Sequence, residues 1–121
     1  MKILLVEDDM VLHRAMQHLL AQWQYEVEIV NCGQAALAAL QTKVFDVVLL
    51  DEQLPDMGGR EVASKIRSVL EDCPLIIGLT GYVGIDDYPS FLAAGMDEVL
   101  QKPLRRDVLK ETLTRLYAKL P

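Results

Sequence analysis

The chain has 121 residues, about one domain's worth, which is enough to bury a hydrophobic core without disulfides or a structural metal. Its 18 acidic residues outnumber its 12 basic residues, and the formal net charge is −6. This balance argues against a nucleic-acid backbone or an anionic membrane surface as a direct partner, because both reward clustered Lys and Arg. Cys32 and Cys73 lack metal-ligand spacing and suit a reducing, cytoplasmic compartment. The first apolar run is too short for a signal peptide or a membrane span.

The first half of the chain alternates short apolar runs with helical patterns. Residues 3–6 form a predicted strand that ends at three consecutive acids, residues 7–9, and Asp9 is suited to cap the helix that follows. Residues 27–30 alternate apolar and polar positions, which is typical of an edge strand, and residues 34–40 are rich in Ala and Leu, which favours a helix. The first helix has apolar residues at helical spacing: Val11, Leu12, Ala15, Met16, Leu19, Leu20 and Trp23.

The second half repeats this alternation around the most apolar run of the chain. Residues 45–51, with the sequence FDVVLLD, predict a strand buried on both faces that carries Asp51 at its end. The remaining predicted elements are a helix over 59–70, a strand over 75–79, a helix over 86–94, a strand over 96–100 and a terminal helix. The terminal helix is predicted to have one apolar face, formed by Leu104, Val108, Leu109, Leu113, Leu116 and Leu120.

The alternation of five strands with five helices predicts a single α/β domain over residues 1–121. Right-handed crossovers between parallel strands leave few topologies open. An edge-like second strand and central first and third strands favour a doubly wound, flavodoxin-like parallel sheet with strand order 2-1-3-4-5.

Polar residues follow the predicted strands at the points where the strands end. Because the carboxyl ends of parallel strands share one edge of a sheet, these residues should meet in one cleft. Each has an ordinary alternative by itself, such as a loop cap, a strand-end hydroxyl or a solvated lysine, but their shared position favours a common site. The residues are Glu7, Asp8, Asp51, Thr80 and Lys102.

Three converging carboxylates repel one another unless a cation neutralises them, and a hard divalent ion such as Mg²⁺ meets that need. Asp8 and Asp51 are the predicted direct ligands, together with a main-chain carbonyl just past Asp51. Such an ion screens an incoming phosphoryl group and leaves one oxygen of Asp51 free to attack phosphorus. Lys102 supplies a positive charge and Thr80 a hydroxyl donor for the phosphoryl oxygens. Gly81 keeps the approach open because it has no side chain.

These residues resemble a known family. The strings LLVEDD, LLDEQLPDMGG, LTGY and LQKPL, in this order and at these intervals, are similar to the receiver domain of two-component response regulators over the whole chain. The resemblance implies that Asp51 accepts a phosphoryl group from the phosphohistidine of a histidine kinase or a histidine phosphotransfer domain. It also implies that Asp8, Asp51 and the carbonyl of Gln53 bind Mg²⁺, with Glu7 reaching the ion through water.

The resemblance has further implications for the switch. It implies that Thr80 moves toward the aspartyl phosphate with the Gly81 loop, that Lys102 pairs with the phosphate, and that the peptide before Pro103 is cis. The surface of the fourth strand, the helix after it and the fifth strand should change on phosphorylation. Weak homodimerisation is a further implied partner interaction, whereas no direct contact with nucleic acid or membrane is expected.

Some positions depart from the commonest pattern of the family. Val99 stands where many receivers have a Tyr or Phe whose rotamer reports phosphorylation, so a different switch is expected here. Gly58 replaces a frequent Asp or Asn. The replacement removes a side-chain cap but lowers the stability of the helix only slightly if glycine is the helix cap. Residues 94–98 are more similar to receivers of hybrid sensor kinases than to those of transcription regulators. This favours a receiver from a hybrid sensor kinase, which could be the cytoplasmic part of a membrane-anchored protein.

Two other classes of function compete with this interpretation. An aspartyl-phosphate hydrolase usually has a carboxylate two residues after its nucleophile, and Gln53 cannot shuttle protons there. We therefore expect a domain that catalyses its own phosphotransfer and a slow autodephosphorylation but is not a turnover enzyme. An interaction module that has lost phosphorylation is favoured by Val99 alone. His13 and His18, which do not share a helix face, are expected at the surface or at its boundary.

Overall fold

The computed structural model describes residues 1–81 and 87–118, and in these ranges five strands alternate with five helices. All neighbouring strands pair in parallel, in the order β2-β1-β3-β4-β5, so the predicted doubly wound α/β sheet is confirmed. The elements are β1 (Lys2–Val6), α1 (Met10–Gln22), β2 (Glu26–Val30), α2 (Gly33–Thr42), β3 (Val47–Asp51), α3 (Gly59–Val69), β4 (Leu75–Thr80), α4 (Tyr88–Ala93), β5 (Glu98–Gln101) and α5 (Arg106–Tyr117).

Helices cover both faces of the sheet, and the side chains of β3 alternate between them. Val47 and Leu49 pack into the core formed with α1 and α5, while Val48 and Leu50 pack into the core formed with α2, α3 and α4. Every residue of β3 is buried, as its uninterrupted apolar sequence predicts. Strand β2, in contrast, is only partly buried because it lies at the edge of the sheet.

Two strands begin two residues later than predicted, and in both cases the carboxylate of the aspartate just before the strand accepts a backbone amide of the neighbouring strand. The carboxylate of Asp46 accepts the Lys2 amide at 2.7 Å while the Asp46 amide donates to the Lys2 carbonyl at 2.8 Å, and β3 begins at the next residue. In the same way the carboxylate of Asp97 accepts the Ile76 amide at 2.8 Å ahead of β5. Side-chain hydrogen bonds of this kind compete with sheet pairing.

The buried stripe of α1 differs from the predicted one. Met16 and Leu20 are buried as expected, but Val11 is 79% exposed. His13 takes the remaining buried position, because a spacing of three and then four residues places it in line with Met16 and Leu20. This histidine is predicted at the surface or at its boundary, and with 9% of its surface exposed it lies on the buried side of that boundary. The Asp9 carboxylate caps the helix as predicted, accepting the Val11 amide at 2.9 Å.

The terminal helix also buries a slightly different face. Val108 is 37% exposed and Thr112 takes a buried position in its place, since Thr112 is in line with the buried leucines. Three of the predicted leucines are buried: Leu109, Leu113 and Leu116. The predicted start of the fourth helix at Asp86 and the last predicted core residue, Leu120, lie outside the described residues. Within the two described ranges, no helix is long and apolar enough to cross a membrane.

Candidate functional site

Parallel pairing brings the ends of four strands to one edge of the sheet. The register places Asp51 of β3 opposite Leu79 of β4, and Thr80 of β4 opposite Gln101 of β5. The first two acids of the chain follow directly after β1, which is the other neighbour of β3. The predicted site positions therefore lie along one edge: Glu7, Asp8, Asp51, Thr80 and Lys102.

Three carboxylates meet at this edge. One oxygen from each of Glu7, Asp8 and Asp51 lies within 4.8 Å of the others. Glu7 and Asp51 are buried, with 1% and 4% of their surfaces exposed, whereas Asp8 is exposed. The cluster thus opens to solvent on the side of Asp8, while its other two members have little water to weaken their repulsion.

Lys102 provides a positive charge between the two buried acids. Its Nζ lies 3.1 Å from Oε2 of Glu7 and 3.2 Å from Oδ1 of Asp51. Partial burial opposes the charged form of this lysine, but the hydrogen bond to Glu7 and the attraction of Asp51 hold its pKa above the usual value. The ammonium group therefore stays charged and compensates part of the negative charge of the cluster.

Glu7 has further contacts that fix its orientation. Its Oε1 accepts the Asp9 amide at 3.1 Å, and the Nε2–H of His13 donates to its main-chain carbonyl. Burial and the neighbouring Asp51 carboxylate raise the pKa of Glu7 to about 7, even though the Asp9 amide and Lys102 favour the ionised form. Repulsion at this site is therefore only partly relieved by the protein's own groups.

The donor set fits a hard divalent cation. Three carboxylates face one ammonium group, which leaves an excess of negative charge, and carboxylate oxygens are the ligands that Mg²⁺ and Ca²⁺ prefer. The pKa of Glu7 is raised first by burial and then by the neighbouring Asp51 carboxylate, so a bound cation would lower the cost of ionising Glu7 beside Asp51. Exposure of Asp8 leaves room for water ligands, which Mg²⁺ retains when it binds to proteins.

The loop after β3 is held close to Asp51. The Gln53 amide donates to Oδ1 of Asp51 at 3.2 Å, and an isolated antiparallel bridge pairs Gln53 with Gly58. Gly58 is the N-cap of α3, as the sequence suggested. At Gly59 a Cβ atom would lie 2.5 Å from the Asp51 carbonyl oxygen, so only glycine permits this approach of α3 to the end of β3.

Thr80 and Gly81 lie at the end of the neighbouring strand. Thr80 is buried, and its carbonyl accepts the Lys102 amide at 2.7 Å, which joins the ends of β4 and β5. Among the described residues, a Cβ atom on Gly81 would meet no other atom within 4 Å. The rest of the predicted switch loop, Tyr82 to Gly84, lies outside the described residues.

Val99 of β5 lies in the core on the face of the sheet that α2, α3 and α4 cover. Val99 is 8% exposed and belongs to the core beside Met96 and Phe91. The neighbouring Glu98 instead makes polar contacts, accepting the hydroxyl of Tyr88 on α4 at 2.9 Å. The peptide between Lys102 and the following proline is cis, as the resemblance implied.

Two residues near the site were not identified as such from the sequence. His13 contacts Glu7 through its ring, and its alignment with the buried stripe of α1 is a signal that could have revealed its burial. Arg60 of α3 donates to Glu52, directly after Asp51, and also contacts α4. No signal in the sequence reveals this contact, because it depends on how α3 and α4 are placed in space.

Comparison with known proteins gives a consistent result. A family model described as the response regulator receiver domain matches residues 3–114. The transcriptional regulatory protein ZraR of Klebsiella oxytoca is 36% identical over 96% of this chain, and the transcription factor SKN7 of Saccharomyces cerevisiae is 34% identical over 93%. The chain spans only 26% and 18% of these two relatives.

Solved structures with the same fold also cover nearly the whole chain. The receiver domain of the sensor histidine kinase PA1611 from Pseudomonas aeruginosa PAO1 is 32% identical, with a TM-score of 0.89 and 98% of both chains covered. That structure has a magnesium ion coordinated in its active site cleft. A CheY-like receiver from Methanospirillum hungatei is 30% identical, with a TM-score of 0.90 and coverage of 98% of this chain and 94% of that one. Together with the shared fold, these matches show that the chain belongs to the response regulator receiver domain family.

Proposed function

We propose that this receiver domain accepts a phosphoryl group on Asp51 from the phosphohistidine of a histidine kinase or a histidine phosphotransfer domain. The observation that carries the proposal is the juxtaposition of Asp51 with two further acids and Lys102. A carboxylate oxygen of Asp51 attacks phosphorus, the bond from phosphorus to the imidazole nitrogen breaks, and its electron pair remains on the imidazole. In this proposal the domain consists of residues 1–121 and acts in the cytoplasm.

Asp8, Asp51 and the main-chain carbonyl of Gln53 would hold Mg²⁺, with Glu7 acting through a water molecule. The donor set of carboxylates and the magnesium ion in the similar PA1611 receiver support this assignment. When bound, the ion would neutralise charge on the transferring phosphoryl group. Lys102, which already lies within 3.2 Å of Asp51, would donate to a phosphoryl oxygen.

Phosphorylation would change the surface of β4, α4 and β5. A phosphoryl group adds roughly −1.5 to −2 charge and new acceptor oxygens, which can draw the Thr80 hydroxyl and the loop at Gly81 inward. Because position 99 is a valine, which is buried in the core, the change would not use the rotamer of an aromatic side chain there. The altered surface would control contacts with the next partner, including a weak homodimer.

The domain would hold its phosphoryl group rather than turn over a substrate. Gln53 provides an amide where a hydrolase has a carboxylate, so proton transfer to and from water is not assisted there. Loss of phosphate would therefore be slow, and the chemistry would be limited to self-catalysed phosphotransfer and autodephosphorylation.

A hybrid sensor kinase is the parent protein that we propose. The sequence of residues 94–98 and the similarity to the receiver of a sensor histidine kinase at 98% coverage of both chains support this origin. In such a parent the domain would be the cytoplasmic part of a membrane-anchored sensor. Curated relatives that are transcription regulators, such as ZraR, represent the competing origin.

Labelling with acetyl phosphate tests the proposed acceptor. With Mg²⁺ present, the unmodified chain should gain one phosphoryl group, whereas Asp51→Asn should gain none and Asp8→Ala should react much more slowly. Asp72→Asn removes the charge of an exposed aspartate outside the site; it serves as the control and should react normally. Absence of labelling under conditions in which another receiver is labelled would favour an interaction module without phosphorylation. Rapid release of phosphate from an organic phosphomonoester would favour a hydrolase.

A further inference from the structure

Arg60, in the first turn of α3, connects the loop after β3 with α4. Its backbone amide donates to Oε2 of Glu52 at 3.1 Å and its Nε donates to Oε1 at 2.8 Å, so both carboxylate oxygens are engaged. On the other side, Nη1 donates to Oγ of Ser90 at 2.9 Å. The guanidinium also lies 4.7 Å from the ring centroid of Phe91. One side chain thus contacts two elements that are distant in the sequence.

Glu52 is well placed to fix the loop on which the proposed chemistry depends. It stands between Asp51 and Gln53, and only 15% of its side chain is exposed. Its amide donates to the Leu79 carbonyl at 2.9 Å, and its own carbonyl accepts the Gly59 amide at 2.9 Å. The loop is therefore bound by its backbone to β4 and α3, and by its carboxylate to Arg60.

We propose that Arg60 is a positioning residue for the phosphoryl-accepting site and couples the position of that site to α4. It acts through Glu52 on the carboxylate of Asp51 and the carbonyl of Gln53, and through Ser90 and the Phe91 ring on α4. This inference rests on the proposed function for the identity of the site. The coupling itself concerns the protein alone and does not require phosphorylation.

Arginine is suited to this role by its shape. The planar guanidinium donates in several fixed directions and stacks on aromatic faces, whereas a lysine ammonium is a compact charge that does neither as well. In Arg60 the Nε group faces Glu52 while Nη1 and the flat face of the group serve α4. Movement of either element thus changes the hydrogen bonds available to the other.

Magnesium affinity distinguishes this positioning role from a simple effect of charge. Glu52→Ala removes a negative charge near the site and Arg60→Ala removes a positive one, so Coulomb attraction alone would weaken Mg²⁺ binding in the first variant and strengthen it in the second. Positioning predicts that both variants bind Mg²⁺ about three- to tenfold more weakly, by calorimetric titration of the unphosphorylated protein. Lys65→Ala, also on α3, removes a positive charge without contact to the loop and is the control. Opposite shifts in the two variants would overturn the proposal.

Amide hydrogen exchange tests the coupling without metal or phosphate. Among the residues that the structure describes, Arg60 is the link between Glu52 and α4, so Glu52→Ala should speed exchange of the Phe91 and Ala94 amides roughly two- to tenfold. Ser90→Ala should in turn speed exchange of the Gly59 amide, and Lys65→Ala should change neither. Unchanged exchange in α4 of Glu52→Ala would overturn the coupling.

The double variant Glu52→Ala/Arg60→Ala separates coupling from general destabilisation. If Glu52 and Arg60 act as one unit, the Mg²⁺ affinity of the double variant should be no lower than that of the single variant with the lower affinity. Additive losses would show that the residues act independently and would contradict the proposal. If the unmodified chain binds no Mg²⁺ at all, the proposed function fails, while the exchange experiment still decides whether Arg60 couples the loop to α4.

Discussion

Lys102 is the residue on which the charge balance of the site depends. Its ammonium group lies between the buried carboxylates of Glu7 and Asp51, at 3.1 and 3.2 Å. Buried carboxylates without a partner are costly, so removal of this lysine leaves a deficit that a bound cation can fill. The ammonium group of Lys102 and a bound metal ion would both neutralise the negative charge of Glu7 and Asp51. The presence of Lys102 should therefore weaken the binding of the metal ion.

Replacement of Lys102 by methionine should strengthen Mg²⁺ binding roughly three- to tenfold, because the repulsion between ammonium and metal ion is lost. The same change should slow labelling by acetyl phosphate, since the phosphoryl oxygens lose a donor. Calorimetric titration and a labelling time course measure the two effects. Lys43→Met, which removes an exposed lysine paired with Glu28, is the control. Weaker Mg²⁺ binding in Lys102→Met would contradict the antagonism.

Among individual residues, the sequence predicts the site residues at the ends of strands but does not predict contacts that depend on how helices pack together. The positions of Glu7, Asp51 and Lys102 could be inferred because a parallel sheet aligns the ends of its strands. The contact of Arg60 with α4 could not, because it depends on the packing of two helices. The burial of His13 follows from its spacing with Met16 and Leu20, whereas its residue type alone favours the surface or its boundary.

Helix α3 begins against the end of β3, and Gly59 makes this contact possible. A Cβ atom there would lie 2.5 Å from the Asp51 carbonyl oxygen and 2.9 Å from the Glu52 Cα atom. Both are backbone atoms of the loop that carries the candidate site, so they cannot rotate away as a flexible side chain could. The first turn of α3 thus determines where Asp51 is held.

Gly59→Ala should therefore destabilise the domain by about 1 to 3 kcal/mol, which is the usual cost of inserting an extra carbon into a packed region. It should also weaken Mg²⁺ binding, because the backbone beside Asp51 must shift. Urea denaturation and calorimetry measure these effects. Gly58→Ala is the matched control, since its Cβ atom would lie no closer than 3.7 Å to other atoms. Equal stability of the two variants would show that the contact is not tight.

Helix α2 is capped from a distance by Asp56. Its carboxylate accepts the Gly33 amide at 2.8 Å and the Gln34 amide at 2.9 Å, so the loop after β3 also holds the start of α2. These hydrogen bonds, that of Gln34 foremost, favour the ionised carboxylate and lower its pKa. The cap at Cys32, directly before the helix, supplies only a sulfur acceptor for Ala35.

The lowered pKa of Asp56 predicts a pH dependence of stability. Because its folded pKa is below its unfolded pKa, its contribution is present above the unfolded value, near 3.9, and is lost as the pH falls through the folded value. Asp56→Asn should have a lower Tm than the unmodified chain at pH 7, and the difference should shrink as the pH is lowered below about 4. Asp72→Asn removes the same charge elsewhere and controls for net charge. A Tm difference that is constant from pH 7 to pH 3 would contradict this origin.

For the whole molecule, the topology could be predicted because alternating patterns and right-handed crossovers leave few arrangements. The strand order 2-1-3-4-5 follows from the alternating, edge-like pattern of the second strand and the apolar run of the third strand. Element boundaries were less predictable, since the side chains of Asp46 and Asp97 take hydrogen bonds that a ladder would otherwise use. Thr112 is buried and Val108 is exposed because Thr112, and not Val108, is in line with the buried leucines of α5.

The proposed switch also belongs to the whole molecule. Addition of Mg²⁺ with beryllium fluoride, a phosphoryl mimic, should change amide exchange within residues 80–102 and leave α2 largely unchanged, because α2 packs against β1, which is separated from β4 and β5 by β3. Hydrogen exchange with mass spectrometry makes the comparison, with Asp51→Asn as the control. Identical exchange across residues 80–102 with and without the mimic would contradict the proposed surface change.

The identity of the phosphorylated residue is the most direct test of the central claim. Borohydride reduces an acyl phosphate to an alcohol, so an aspartyl phosphate becomes homoserine, which peptide mass spectrometry can locate. After labelling with acetyl phosphate and Mg²⁺, we expect homoserine at position 51 and at no other aspartate. Homoserine at position 8 or 46 instead, or no reducible acyl phosphate in the chain, would contradict the assignment of Asp51 as the phosphoryl acceptor.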